Sequence, residues 1–208
     1  MREAQPRQAS AVGNRSGKGR PPMTDRRKAI QRLEIARQAA KLFAAQGVAG
    51  TSGEQIADAV GISVRTLWRY FPTKESCVQP LLSEGIDAFL DQLRSWPAGT
   101  PLLDHLRAAY SHGGVVSAAD AAARQEVVRM CREEPGLRAV WLQTQHDAEP
   151  TFAEVIAHRL SLPTEALEVR VQAGMLNVAL RIAAEDQADG RSDGLIEAIR
   201  ASVEGFRL

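Results

Sequence analysis

The sequence predicts an all-α fold: an N-terminal helix-turn-helix domain of three helices, followed by a C-terminal helical bundle. Three observations predict it. From residue 26 onward apolar residues recur at spacings of three and four. Glycine, proline and hydroxyl residues punctuate them at helix-length intervals. No stretch carries the sustained alternation of a half-buried strand. Hydrophobic residues form 44% of the 208, enough for a substantial core.

Residues 1–25 are rich in Gly, Pro, Ser, Gln and Arg and nearly free of large apolar residues. Such a segment buries too little surface to offset its ordering entropy, so it is expected to be a flexible basic tail. The run Gly13–Gly19 has the wrong spacing for a phosphate-binding loop, and no strand precedes it. In the first helix Ala36, Ala39, Ala40 and Phe43 share a face, and Gly47 stops it. Thr51-Ser52-Gly53-Glu54 fits a capping box with Thr51 as the cap and Glu54 three residues on. Ile56, Ala57 and Val60 then form the apolar side of a short helix that Gly61 ends. Ser63 can cap the third helix, which runs to Phe71. Thr73 can cap a fourth, from Lys74 to about Ser95, in which Pro80 should either introduce a kink or shift the start. The run Trp96–Pro101 is a break. Helical segments follow near 102–112, 118–133, 136–160, 164–186 and 194–206. The expected division is a tail at 1–25, a helix-turn-helix domain at 26–76 and a larger helical domain at 77–208.

The net charge of +1 conceals an asymmetry. Residues 1–28 carry a balance of +6, residues 29–76 a balance of +2, and residues 77–208 a balance of −7. One end suits a polyanion and the other does not. Within the basic half, residues 56–71 read as helix, tight turn, helix. Ala57 is small where two helices cross, and Gly61 permits a left-handed turn. At 100° per residue Leu67 and Phe71 point inward. Arg65 and Arg69 point outward one turn apart, flanked by Thr66 and Trp68. Two guanidinium groups and a large aromatic on one exposed face suit a recognition helix in the major groove.

The segment from Phe43 to Ser76 resembles the N-terminal domain of TetR-family regulators. The matching features are Phe43, Gly47, Thr51, Ile56-Ala57, Gly61-Ile62-Ser63, Thr66-Leu67, Tyr70-Phe71 and Lys74-Glu75. The resemblance implies a transcriptional regulator that binds a palindromic double-stranded DNA operator as a homodimer. It implies that Val64, Arg65, Trp68 and Arg69 contact bases, and that Thr66, Tyr70 and Lys74 contact phosphates. Ser63, and the hydroxyls or backbone N–H groups of Thr51 and Ser52, complete the DNA-facing set. It also implies a small-molecule effector inside the C-terminal bundle, with repression relieved when it binds. Phe89, Tyr110, Met130, Trp141 and Met175 are the candidate pocket lining, with His105, His112 or Asn177 as polar contacts.

Residues 171–184 are apolar nearly all round, and Ile196, Ile199, Val203 and Phe206 form a stripe on the last helix. Met175, Ala179 and that stripe are the expected dimer interface, a four-helix contact in the manner of the same family. No catalytic motif, dinucleotide-binding glycine pattern or Cys/His cluster at metal spacing is present, so neither an enzyme nor a cofactor is expected. The absence of a signal peptide or a membrane-length apolar run leads to the expectation of a cytoplasmic protein with no membrane partner. Cys77 and Cys131 are expected to be reduced structural thiols.

Overall fold

The computed structural model describes residues 24–111, 116–191 and 194–204, so nearly all of the expected tail lies outside it. Every regular element in the described residues is helical. They are α1 (Asp25–Gln46), α2 (Gly53–Ala59), α3 (Val64–Tyr70), a single 3-10 turn at Glu75–Val78, α4 (Gln79–Ser95), α5 (Leu102–Tyr110), α6 (Ala118–Met130), α7 (Pro135–Leu160), α8 (Leu167–Ala188) and α9 (Gly194–Val203).

Local chemistry accounts for the boundaries. α1 buries Ile35, Ala36, Ala39, Ala40 and Phe43 on one face, and Gly47 ends it at φ +76°, a conformation that costs glycine little. Pro80 resolves as a start signal and not a kink. It occupies the first turn of α4, where its missing N–H would have had no partner anyway, and the expected helical start at Lys74 becomes a 3-10 turn. The break after α4 is pinned from α7. Arg159 lays its guanidinium 3.6 Å over the Trp96 ring and donates to the carbonyls of Trp96 and Pro97.

The apolar interior forms two clusters. The first joins Ile35 and Phe43 of α1, Ile56 of α2 and Leu67 of α3 to Leu81, Leu82, Val127, Leu137 and Trp141. It therefore runs straight across the expected boundary at residues 76–77. The second gathers Phe89 and Leu90 of α4, Leu106 of α5, Phe152 and Ile156 of α7, Leu176 of α8 and Ile199 of α9. Cys77 and Cys131 are free and buried in the first cluster. Burial pushes both thiols up to about 12, so neither is a thiolate at neutral pH.

The stripe expected on α9 is divided. Ile199 is buried in the core of its own chain and Ile196 packs against that core, because a helix lying across α5 and α8 must cover its own apolar side first. Val203 is exposed, and Phe206 lies outside the described residues. The exposed apolar side belongs mainly to α8, through Val171, Val178 and Ile182. Beside it, Met175, Ala179, Ala198 and Ala201 help line a groove of about 470 Å³.

One ion pair crosses from the N-terminal helices into the bundle. Arg37 of α1 donates through Nε and Nη2 to the two carboxylate oxygens of Asp120 on α6, at 2.7 and 2.8 Å. Asp120 is 3% exposed and also accepts from the Ser117 hydroxyl at 2.7 Å. These bonds, led by that from Arg37, hold its carboxyl at about 2. An unfolded Asp titrates near ~3.9, so the pair contributes its full stabilisation above about pH 4 and loses it as pH falls toward 2. Asp120→Asn should lower unfolding stability by about 1–3 kcal/mol at pH 7. Denaturant titrations between pH 7 and 2 should show the difference between variant and wild type shrinking over the acid part of that range.

Candidate nucleic-acid interface

The turn between α1 and α2 is closed by side chains that satisfy backbone carbonyls. The Thr51 hydroxyl donates to the Gly47 carbonyl at 2.8 Å, and Thr51 is 2% exposed. The α2 cap is therefore Ser52, one residue later than the sequence suggested. Ser52 Oγ accepts from the Gln55 N–H and Gln55 Oε1 accepts from the Ser52 N–H, at 3.3 and 2.8 Å. That reciprocal box uses Gln55 in place of Glu54. Ser52 remains exposed at the start of α2, whereas the Thr51 side chain faces inward. Lys74 donates its ammonium to the carbonyls of Val48 and Thr51, at 2.6 and 2.9 Å. Two of its three N–H groups thus brace the turn, leaving one for an outside acceptor.

The second turn orients α3. The Ile62 N–H returns to the Ala57 carbonyl at 3.0 Å across Gly61, whose φ is +66°. Ser63 caps α3 by accepting from the Thr66 N–H at 3.2 Å, and its hydroxyl lies 2.9 Å from that of Thr66. Leu67 is wholly buried and Phe71 follows it into the first cluster. The opposite side holds Arg65 and Arg69, both exposed. Among the described residues neither has an ion-pair partner within 4 Å. The Arg69 guanidinium sits 5.4 Å over the Tyr70 ring. Val64 is half-buried beside them.

Trp68 has two roles. It is 42% exposed, but its benzo ring packs on the first turn of α2. A Cβ at Gly53 would come within 2.1 Å of the indole. Glycine is therefore required by the close approach of α3 to α2. The indole is thus both partly open to solvent and a contact between the two helices.

Residues missed by the sequence reading fix the end of α3. Arg32 of α1 donates to the Tyr70 carbonyl at 3.0 Å and to Gln79 Oε1 at 3.1 Å, and its guanidinium sits 4.5 Å over the Phe71 ring. The Tyr70 hydroxyl donates to Gln31 Oε1 at 2.9 Å. These partners lie 38 to 47 residues apart, so no local pattern exposes them.

The five pocket candidates of the C-terminal region do not converge. Phe89 pairs with Phe152 at 6.1 Å in the second cluster, where Tyr110 also packs. Trp141 and Met130 belong to the first cluster. Met175 lines the outer groove. His105 binds the Gln92 carbonyl at 2.9 Å between α4 and α5, and His112 lies outside the described residues. Asn177, the third polar candidate, is buried inside the bundle. Among the described residues no helix is long and apolar enough to cross a membrane.

Comparison with known proteins agrees with this geometry. Residues 35–81 match the family model described as bacterial regulatory proteins, tetR family. Residues 100–207 match that of the MftR C-terminal domain. The chain is 32% identical over 151 residues to the HTH-type transcriptional regulator TcmR of Streptomyces glaucescens, covering 70% of this chain and 67% of that one. It is 28% identical over 180 residues to the putative mycofactocin biosynthesis transcriptional regulator MftR of Mycobacterium tuberculosis, covering 86% and 90%. Among solved structures, Thermus thermophilus FadR, a TetR-family repressor in complex with lauroyl-CoA, superposes with a TM-score of 0.52 at 21% identity, covering 85% and 95%.

The α2–α3 contact generates a prediction. Gly53→Ala should destabilise the protein by about 1–3 kcal/mol through overpacking against Trp68. In a Trp68→Ala background the same change should cost little, because the two sites share one contact. A double-mutant cycle by urea unfolding measures that coupling, and additive effects would refute the packed contact.

Proposed function

Because this chain belongs to the TetR family of bacterial transcriptional regulators, we propose that it reads a palindromic operator as a homodimer and represses transcription until a small molecule enters its C-terminal bundle. The observation that carries this reading is the outer side of α3. Two guanidinium groups, Arg65 and Arg69, stand one turn apart and exposed, without ion-pair partners among the described residues. A structural arginine normally finds a carboxylate or a carbonyl, as Arg32, Arg37 and Arg159 do here. Free guanidinium groups on a short, rigidly capped helix match guanine O6 and N7 in the major groove.

The remaining roles follow from position. Val64 and the exposed part of Trp68 offer apolar surface to thymine methyl groups. Thr66 and Ser63 present hydroxyls beside the reading face, and Ser52 presents a hydroxyl and a helix N-terminus to a phosphate. Lys74 and Tyr70 act first as braces for the turn and the end of α3. Their remaining hydrogen-bonding capacity is available to the phosphate backbone. Thr51 acts only through the turn it closes.

One short helix reads few base pairs, so specificity requires a second copy. The exposed apolar side of α8, with Val178 at 47% exposure, and its flanking groove against α9 support a two-fold contact in which α8 meets its own counterpart. A regulator of the same fold has been solved with lauroyl-CoA. By analogy we assign the effector to the interior of α4 to α8. The Arg37–Asp120 pair then supplies the mechanical link, since displacement of α6 bears directly on α1.

Two outcomes are expected. On an operator obtained by selecting bound DNA with the purified protein, Arg69→Ala should lose about 1–3 kcal/mol of specific affinity, with little change on random DNA. Equal losses on both DNAs in fluorescence anisotropy would remove Arg69 from base reading. Val178→Asp should yield a monomer in sedimentation velocity, and a stable dimer would exclude the α8 face.

A further inference from the structure

The interior of the bundle contains side-chain atoms that are buried without a hydrogen-bond partner among the described residues. They are Glu84 Oε2, Arg124 Nη1, Asn177 Oδ1 and both polar atoms of Gln145. They mark the level at which the two apolar clusters meet. On α4, Glu84 falls between Leu82 of the first cluster and Ile86 of the second; on α7, Gln145 falls between Trp141 and Phe152. Asn177 of α8 donates to the Gln145 carbonyl at 2.9 Å, which joins those two helices at the same level. Gln145 and Asn177 are only 5% and 4% exposed. A buried polar atom left unbonded opposes folding, and orphans of this kind gather where a guest supplies the missing bonds.

The charges in this layer are unbalanced. Arg124 lies along α4 at Gly85, where a Cβ would come within 3.1 Å of the guanidinium. Among the described residues it has no ion-pair partner within 4 Å. Asp120, one turn earlier on α6, is fully engaged by Arg37 and Ser117. Glu84 is nearby but not in contact, and burial pushes its carboxyl up, toward the neutral form. The layer thus holds a guanidinium with no carboxylate within 4 Å among the described residues, and its Nη1 has no hydrogen-bond partner there.

We infer that this layer is the recognition site of the effector, and that it selects a small organic acid whose carboxylate sits on Arg124. The planar fork of a guanidinium matches a carboxylate, and the orphaned Gln145 amide offers further donors. Phe89 and Phe152, buried in the second cluster, supply the surface for an apolar body. A phosphate dianion suits the site less well, because two negative charges would have to leave water for the single positive charge of Arg124. The inference rests on reading the bundle as a sensor only in its effect on DNA.

The test uses the full chain with phenylbutyrate, phenylbutanol and phenylbutyl phosphate in isothermal titration, alongside release of the selected operator. Phenylbutyrate should bind at least about tenfold more tightly than the other two, about 1.4 kcal/mol. Arg124→Met should abolish that preference. Gln145→Leu should melt no lower than wild type yet bind the acid more weakly, since an orphaned carboxamide adds no stability. If Arg124→Met does not fold, Gly85→Ala replaces it. That change crowds the guanidinium without removing its charge, and should weaken binding of the acid severalfold but not of the alcohol. Absence of acid binding, equal binding of acid and alcohol or of acid and phosphate, or an acid preference that survives these substitutions would overturn the assignment. Selective acid binding with no change in operator affinity would preserve the site and remove the sensor reading instead.

Discussion

The reading helix is only as well placed as the core beneath it. α3 is seven residues long, far too short to be stable alone. It is held by Leu67 and by Phe71 at its end, and these belong to the same apolar cluster as Leu82 of α4, Val127 of α6 and Trp141 of α7. Reading head and bundle are therefore not two bodies joined by a linker. Whatever repacks α4 or α6 shifts the floor on which α3 rests, and the Arg37–Asp120 pair ties α6 to α1 directly.

Backbone accounting explains how the remaining polar side chains divide their work. Short helices and tight turns leave many carbonyl and N–H groups without helical partners. Thr51, Lys74 and Arg32 satisfy carbonyls at Gly47, Val48, Thr51 and Tyr70. Ser52, Gln55 and Ser63 satisfy N–H groups. Residues committed in this way give α3 a rigid seat, and several of them, Lys74 among them, keep part of their hydrogen-bonding capacity. Among the described residues Arg65 and Arg69 have no ion-pair partner within 4 Å, which leaves their guanidinium groups open to the DNA contact proposed for them.

The bundle presents the opposite imbalance on its two sides. Outside, α8 exposes Val171, Val178 and Ile182, an apolar side whose burial against a second copy would be favourable. Inside, the meeting of the two clusters holds polar atoms with nothing to bond. Both features oppose stability in an isolated chain, and both would be relieved by the partners proposed above, one macromolecular and one small. α6 lies between these functions. Arg124 faces the polar layer, and Asp120, one turn away, holds α1.

The sequence by itself determined the all-helical class, the helix breaks at Gly47 and Gly61, and the outward placement of Arg65 and Arg69. Periodicity, glycine conformation and the N-cap at Ser63 depend on neighbours within a few residues, so they can be read along the chain. Tertiary structure decided the rest, because the deciding partners lie far away in sequence. Thr51 turned inward and passed the cap to Ser52; Lys74 became a brace; Ile199 went to its own core; Met175 went to a groove beside α9 while Phe89 went to the core. Arg32, Arg37 and Arg124 look alike in a sequence. Only packing shows that the first fastens a helix end, the second joins α1 to the bundle, and the third buries an Nη1 with no hydrogen-bond partner among the described residues.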